Sequence, residues 1–321
     1  MKRRDDIALI PHFYHIKWAV DLNLVLSELF YVPDRYKIAF REKSYLRGKS
    51  QLHEYISYLL PDLRSKNIKK VFYCNILDDF SADIEKAGFI NQYAGILHAS
   101  NHQNIAVGQN KRLVDYENFI CGGAKQIITG SKYLDSLVPY KTTVTGLPVQ
   151  TDMKKPSNKK GIFFSHRLMN DKNVNMLFDL PDKYNDKITV TCPSGSTTYI
   201  GMAKRKFPNF YYRLPVDQYY SKMNDCGFGL SFAVHDNFGY SMLEGIFSGL
   251  TYLVLDTETT TCREFILDDL RFTSIDDFNE KYEYYCNNPV DRANIVKKQQ
   301  SIVRKHHIDH WLKRFKKELA L

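Results

Sequence analysis

Apolar and polar positions along the chain follow two alternating rhythms. Short, nearly continuous apolar runs occupy 6–11, 70–76, 93–100, 142–149, 188–193, 210–214, 226–234 and 251–255, and further short runs open the stretches 126–134 and 161–172. Each reads as a strand buried on both faces, the pattern of a parallel sheet. Between them lie segments of helical spacing, at 18–30, 51–63 and 219–225 and within 236–249, where Met242, Leu243, Ile246 and Phe247 recur on one helical face. Strand and helix therefore alternate along the whole chain, which predicts an α/β fold of Rossmann-like units.

The stretch 236–249 carries the most chemistry. It connects the runs at 226–234 and 251–255, making a strand-turn-helix-strand unit whose helix starts near Phe238 and Gly239. Amides at such a start are unpaired within the helix and face whatever lies above the sheet, so Phe238, Gly239 and Tyr240 are expected to present donors to a phosphate or sugar. Asp236, on the loop at the strand's carboxyl end, and Glu244, on the early helix, bracket the turn. A carboxylate there can accept from sugar hydroxyls, which outlines a nucleotide-sugar site.

The order of acid, two residues, Gly, four residues and Glu in Asp236-x-x-Gly239-x-x-x-x-Glu244 resembles the donor motif of retaining GT-B glycosyltransferases of the family-four type, which begins with Glu where this chain has Asp. The resemblance implies two Rossmann-like domains facing a cleft, a terminal helix crossing back to the first domain, and transfer of a sugar with retention of configuration. It assigns Glu244 to the ribose and Asp236 to the transferred sugar. A second match supports it: the strand opening at Gly161 ends in Ser165, His166 and Arg167, with Lys172 five positions after the arginine. In the family an arginine and lysine so spaced bind the donor diphosphate, while Ser165 and His166 stand where the family has glycine. Ser165 is expected beside the donor. Two fixed cations take the part of a metal ion in stabilising a leaving diphosphate. Asp78-Asp79 and Asp268-Asp269 are isolated acid pairs, so no metal and no cofactor beyond a nucleotide sugar, UDP-linked, is expected.

The amino-terminal half gives weaker signals. The loop 11–17 lacks glycine and holds His12 and His15, which could contact an acceptor, although loop histidines without a partner are more often simply solvated. His98, with Ser100 and His102 beside it, lies at the end of a strand, where ligands of parallel sheets bind. The His98-Ala99-Ser100 segment resembles the histidine loop of the same transferase class, including members that glycosylate nucleic-acid bases, and on that ground His98 is a candidate catalytic residue. Over 35–49, basic residues including Arg41, Lys43 and Arg47 interleave with Tyr36, Phe40 and Tyr45. That composition suits a phosphate backbone and stacked bases, and suits a charged strand edge equally well.

Charge and length complete the expectation. The 321 residues carry a formal charge of +9, which favours a polyanionic partner. The favoured acceptor is thus a hydroxymethylated pyrimidine base in DNA, as in phage DNA glycosyltransferases. A peripheral-membrane glycan or lipid transferase, a nucleotide-sugar epimerase and a non-enzymatic nucleic-acid-binding module remain the alternatives. Six scattered cysteines form no Cys-x-x-Cys pair, and no apolar run nears the roughly 20 residues of a membrane span, so a cytoplasmic protein without disulfides is expected. The expected division is an acceptor-side domain over 1–150, a polar linker over 151–160, a donor domain over 161–289 and a basic helix over 290–321 that packs back on the first domain.

Overall fold

The computed structural model describes residues 3–12, 17–41, 49–80, 84, 92–103 and 110–319. Its two compact units each contain one parallel, six-stranded sheet; the fold is α/β.

The first unit's strands are β1 (Arg4–Ile10), β2 (Phe30–Tyr31), β3 (Lys70–Tyr73), β4 (Gln92–Leu97), β5 (Gln126–Thr129) and β6 (Thr143–Val144), in the order β2-β1-β3-β4-β5-β6. Ile7, Ala8, Leu9 and Ile10 are all buried, as a central strand requires. The helix expected to run to Phe30 ends at Ser27, and Phe30 and Tyr31 form the edge strand instead. Pro33 could not continue a helix without breaking its hydrogen bonds, and the Phe30 ring stacks on Phe72 at 4.8 Å. Residues Asp34–Arg41 form a helix rather than a strand edge. Its apolar face, at i and i+4, is Tyr36 and Phe40, 3 % and 6 % exposed. Tyr36 packs edge-on against Tyr55, so these two rings fill a core and are not stacking platforms.

The second unit contains β7 (Ile162–Ser165), β8 (Ile188–Cys192), β9 (Asn209–Tyr212), β10 (Phe228–Ser231), β11 (Thr251–Leu255) and β12 (Arg271–Phe272), ordered β12-β11-β10-β7-β8-β9. Phe163, Phe164, Phe228, Leu230, Tyr252 and Leu253 fill its core. None of the helices among the described residues is long and apolar enough to cross a membrane.

The expected single tail helix is two helices, Pro289–Val303 and Ile308–Glu318, separated by a short turn. The break has a cause: the Val149 amide donates to His306 O at 2.9 Å, and His307 is drawn into an extended bridge with Val149. Pro289–Val303 belongs to the second unit, where Arg292 donates to Thr251 Oγ1 and Gly227 O and lies over the Phe228 ring. Ile308–Glu318 belongs to the first unit. There Trp311 Nε1 donates to Gly146 O at 2.8 Å, and Phe315 packs edge-on to Phe72.

Arg292 thus pins its helix to the amino ends of β10 and β11. Burial lowers its basicity, but a guanidinium stays charged and its donors are matched. Arg292→Ala leaves the Gly227 carbonyl and the Thr251 hydroxyl without that partner, and is expected to lower unfolding stability by about 2 to 4 kcal/mol in denaturant titration.

Candidate functional site

Strand order locates the second unit's site. From β7 the sheet grows through β8 and β9 on one side, whereas β10 lies on its other side and leads to β11 and β12. The chain therefore leaves the carboxyl ends of β7 and β10 in opposite directions, which opens the crevice where ligands of such sheets bind. The β7 end delivers Ser165, His166 and Arg167, and the β10 end leads to His235 and Asp236.

A row of alternating charges joins these two ends. Arg167 Nη2 is 2.8 Å from Asp171, Lys172 Nζ is 3.5 Å from Asp171 and 3.6 Å from Asp236, and Lys172 also donates to His235 O at 2.6 Å. Backbone bonds reinforce the join, because the amides of Val234 and His235 both donate to Asp171 O. Burial acts to raise the Asp236 pKa, yet Lys172, His166 and the amides of Gly239 and Phe238 together hold it below the ordinary carboxylate value. Arg167, Lys172 and Asp236, three residues chosen from sequence as catalytic, thus share one electrostatic cluster. Arg167 keeps half of its side-chain surface exposed, whereas Lys172 is buried.

The helix start differs from expectation. Asp236 Oδ1 accepts the amides of Gly239 at 2.8 Å and Phe238 at 3.4 Å, so two of the three amides expected to meet a ligand are bonded to the acid that precedes them. Asp236 is short enough to fold back in this way. Gly239 holds the turn with φ +69°, a conformation that strains any side chain. The Phe238 ring is buried edge-on to Phe265 and His306 and works as core packing, with Tyr240 against its edge.

Glu244 lies in the helix Tyr240–Phe247 and is 7 % exposed. Its oxygens accept from Tyr220 OH at 2.9 Å and Tyr219 OH at 3.2 Å, and Ser165 Oγ donates to Tyr219 OH at 3.1 Å. A hydrogen-bonded chain therefore runs from the end of β7 through Tyr219 to Glu244. Neither tyrosine was singled out in the sequence; their adjacency on the short helix Val216–Asn224 was the available signal. The polar loop at 194–198 docks on the same end of β7, with Leu168 bonded through its backbone to Ser194 and Ser196.

The first sheet has its own switch point, between β1 and β3. His12, expected to face an acceptor, is buried there instead, with Nδ1 2.8 Å from Asp79 and its backbone clamped by Asn23. Burial pushes the Asp79 carboxyl up to about 6, against the opposing effect of His12. His98 is half-buried, its Nε2 donating to Cys74 O at 3.1 Å. Burial first, and the nearby His12 second, lower its pKa to about 3, so the ring is neutral at pH 7. The loop after His98 is tied down by buried Glu117, which accepts from Ser100 Oγ, the Asn101 amide and Tyr140 OH. His15, Lys43 and Arg47 lie outside the described residues, as does the side chain of Arg41. Among the described residues, no group of three or more His, Cys, Asp and Glu is placed to hold a metal ion.

No protein-family model matches the sequence, and no curated protein matches it. Solved structures do. The S. aureus TarM fold superposes with a TM-score of 0.61 at 16 % identity, covering 82 % of this chain and 58 % of that one. This chain thus spans less than two thirds of the length of TarM. Anabaena HepE, in complex with UDP and glucose, gives a TM-score of 0.70 at 10 % identity over 97 % of this chain and 98 % of its own. A sucrose-phosphate synthase from Thermosynechococcus elongatus gives 0.66 at 10 % identity, covering 90 % and 79 %. At such identities the likeness is one of fold, and the fold is GT-B.

Proposed function

We propose that this protein is a glycosyltransferase that draws on a UDP-linked sugar, bound at the carboxyl ends of β7 and β10. The observation that carries the reading is the convergence of Arg167, Lys172, Asp236, Glu244 and Ser165 at that switch point. UDP in the HepE complexes, and UDP with GlcNAc in a complex of the pneumococcal GtfA, support the choice of nucleotide.

In this proposal each residue has a task set by its surroundings. Lys172, fixed by two carboxylates and a carbonyl, offers a preorganised positive charge, and half-exposed Arg167 can turn from Asp171 to a phosphate. Negative charge on the diphosphate grows as the glycosidic bond breaks, so both cations favour the transition state over the bound donor, and no metal is required for that task. Glu244, held in place by the two tyrosines, is positioned to accept from ribose hydroxyls. Asp236 acts through Lys172 and the Gly239 turn, and retention of configuration follows the motif it opens.

The acceptor is a separate matter. The hydroxymethylated DNA base finds no support in the structural neighbours, and neither the membrane-glycan, epimerase nor binding-module reading is favoured. Burial of Tyr36 and Phe40 takes away two of the three rings named for stacking; the third, Tyr45, lies outside the described residues.

Calorimetric titration with UDP and UDP-sugars tests the reading, which is lost if the folded protein takes none of them. Glu244→Ala should weaken UDP binding about 10- to 100-fold, since a hydrogen bond to a charged group contributes roughly 1.5 to 3 kcal/mol. Tyr219→Phe, which removes the hydroxyl that accepts from Ser165 and donates to Glu244 but leaves the carboxylate and its Tyr220 bond, should cost about 2- to 10-fold.

Arg167→Ala should lower turnover about 10² to 10³-fold with a smaller change in donor affinity, read from kcat and KM separately. Lys172→Met should also expose the linkage to Asp236. With a folded-state pKa below the unfolded value, ionised Asp236 contributes stability above the unfolded pKa that is lost as pH falls through the folded one. Without Lys172 the burial effect is left less opposed, so carboxyl-carbon NMR should show the Asp236 titration moving to higher pH, and the acid loss of stability should begin earlier.

A further inference from the structure

His166 follows β7 directly and is 5 % exposed, its ring packed edge-on against Phe164 at 5.1 Å. Its Nε2 is buried and has no hydrogen-bond partner. Buried polar atoms without partners are rare, and one standing at a switch point calls for an explanation. The charged groups around it are Lys172, Asp236, Asp171 and Arg167, the same row that joins the two strand ends. Formally that row sums to zero, and the Lys172 ammonium is already engaged by His235 O and two carboxylates, while Arg167 gives one N–H to Asp171. A diphosphate arriving there presents more acceptor oxygens than the two cations alone can satisfy.

We propose that His166 is a further donor-site residue whose Nε2–H binds a diphosphate oxygen of the nucleotide sugar, beside Lys172. The inference rests on the nucleotide-sugar reading above and adds to it a residue that the reading did not use. A neutral imidazole suits this place. Burial first, and Lys172 second, lower the His166 pKa to about 4, so at pH 7 the ring donates without adding a charge that would repel Lys172. Packing against Phe164 fixes the ring, so the donor needs little ordering on binding. His235, whose carbonyl holds Lys172, has a second buried imidazole nitrogen without a partner, Nδ1, so unspent donor capacity lies at both strand ends.

The test compares UDP with uridine, which lacks the phosphates, on wild type, His166→Leu and His166→Gln. Leu fills the space without a donor; Gln restores an N–H. Calorimetry reads UDP, and NMR line-shape titration reads the weaker nucleoside. The expected result is a loss of about 10- to 100-fold for UDP with His166→Leu, less than about twofold for uridine, and recovery of most UDP affinity with His166→Gln. Equal losses for both ligands would show a merely structural role, and unchanged UDP affinity in both variants would equally overturn the inference. Should His166→Leu fail to fold, His166→Ala takes its place in the same comparison. If wild type itself does not bind UDP, it is the nucleotide-sugar reading that fails, which separates the two outcomes.

Discussion

Burying an ammonium group costs several kcal/mol unless carboxylates and hydrogen bonds compensate, and Lys172 is compensated from two directions. Asp171 comes from its own loop, while Asp236 and the His235 carbonyl come from the loop after β10. This one cation therefore couples the two strand ends that diverge at the switch point. Its presence holds Asp236 ionised; ionised Asp236 in turn caps the amides of the Gly239 turn and sets where the Glu244 helix begins.

The α/β alternation could be read from the sequence because parallel strands covered on both faces must be apolar almost throughout, a pattern that survives without knowledge of partners. Ile7 to Ile10 and Thr251–Leu255 are examples, buried at every position. The charge row was legible in part for a similar reason: Arg167 and Lys172 lie five apart on one loop, and Asp236 and Glu244 flank one turn. Tyr219 and Tyr220 were not legible. They reach Glu244 across more than twenty residues, and no local spacing rule encodes a tyrosine that donates to a distant carboxylate.

Elsewhere a conspicuous feature hid a quieter one. The lysines and arginines over 35–49 drew attention to charge, while Tyr36 and Phe40, one helical turn apart, carried the apolar stripe that settles their burial. In the sequence His12 reads as a loop histidine, solvated or meeting substrate, because its partner, Asp79, lies sixty-seven positions away and looks like half of an isolated acid pair. In the tail, basic composition suggested one continuous helix. The backbone bond from Val149, invisible to any periodicity, divides it.

The turn at Gly239 has a consequence for how such a site can change over time. Amides are the same in every residue, so a pocket that relies on them varies only when the chain itself is rerouted. Here the amides of Phe238 and Gly239 are spoken for by Asp236. On the nucleotide-sugar reading proposed above, recognition at this end of the sheet falls to side chains: Arg167, Ser165, His166 and Glu244. A single codon can replace any of these while the turn stays as it is, so ligand preference in this chain is free to drift by point substitution on an unaltered backbone.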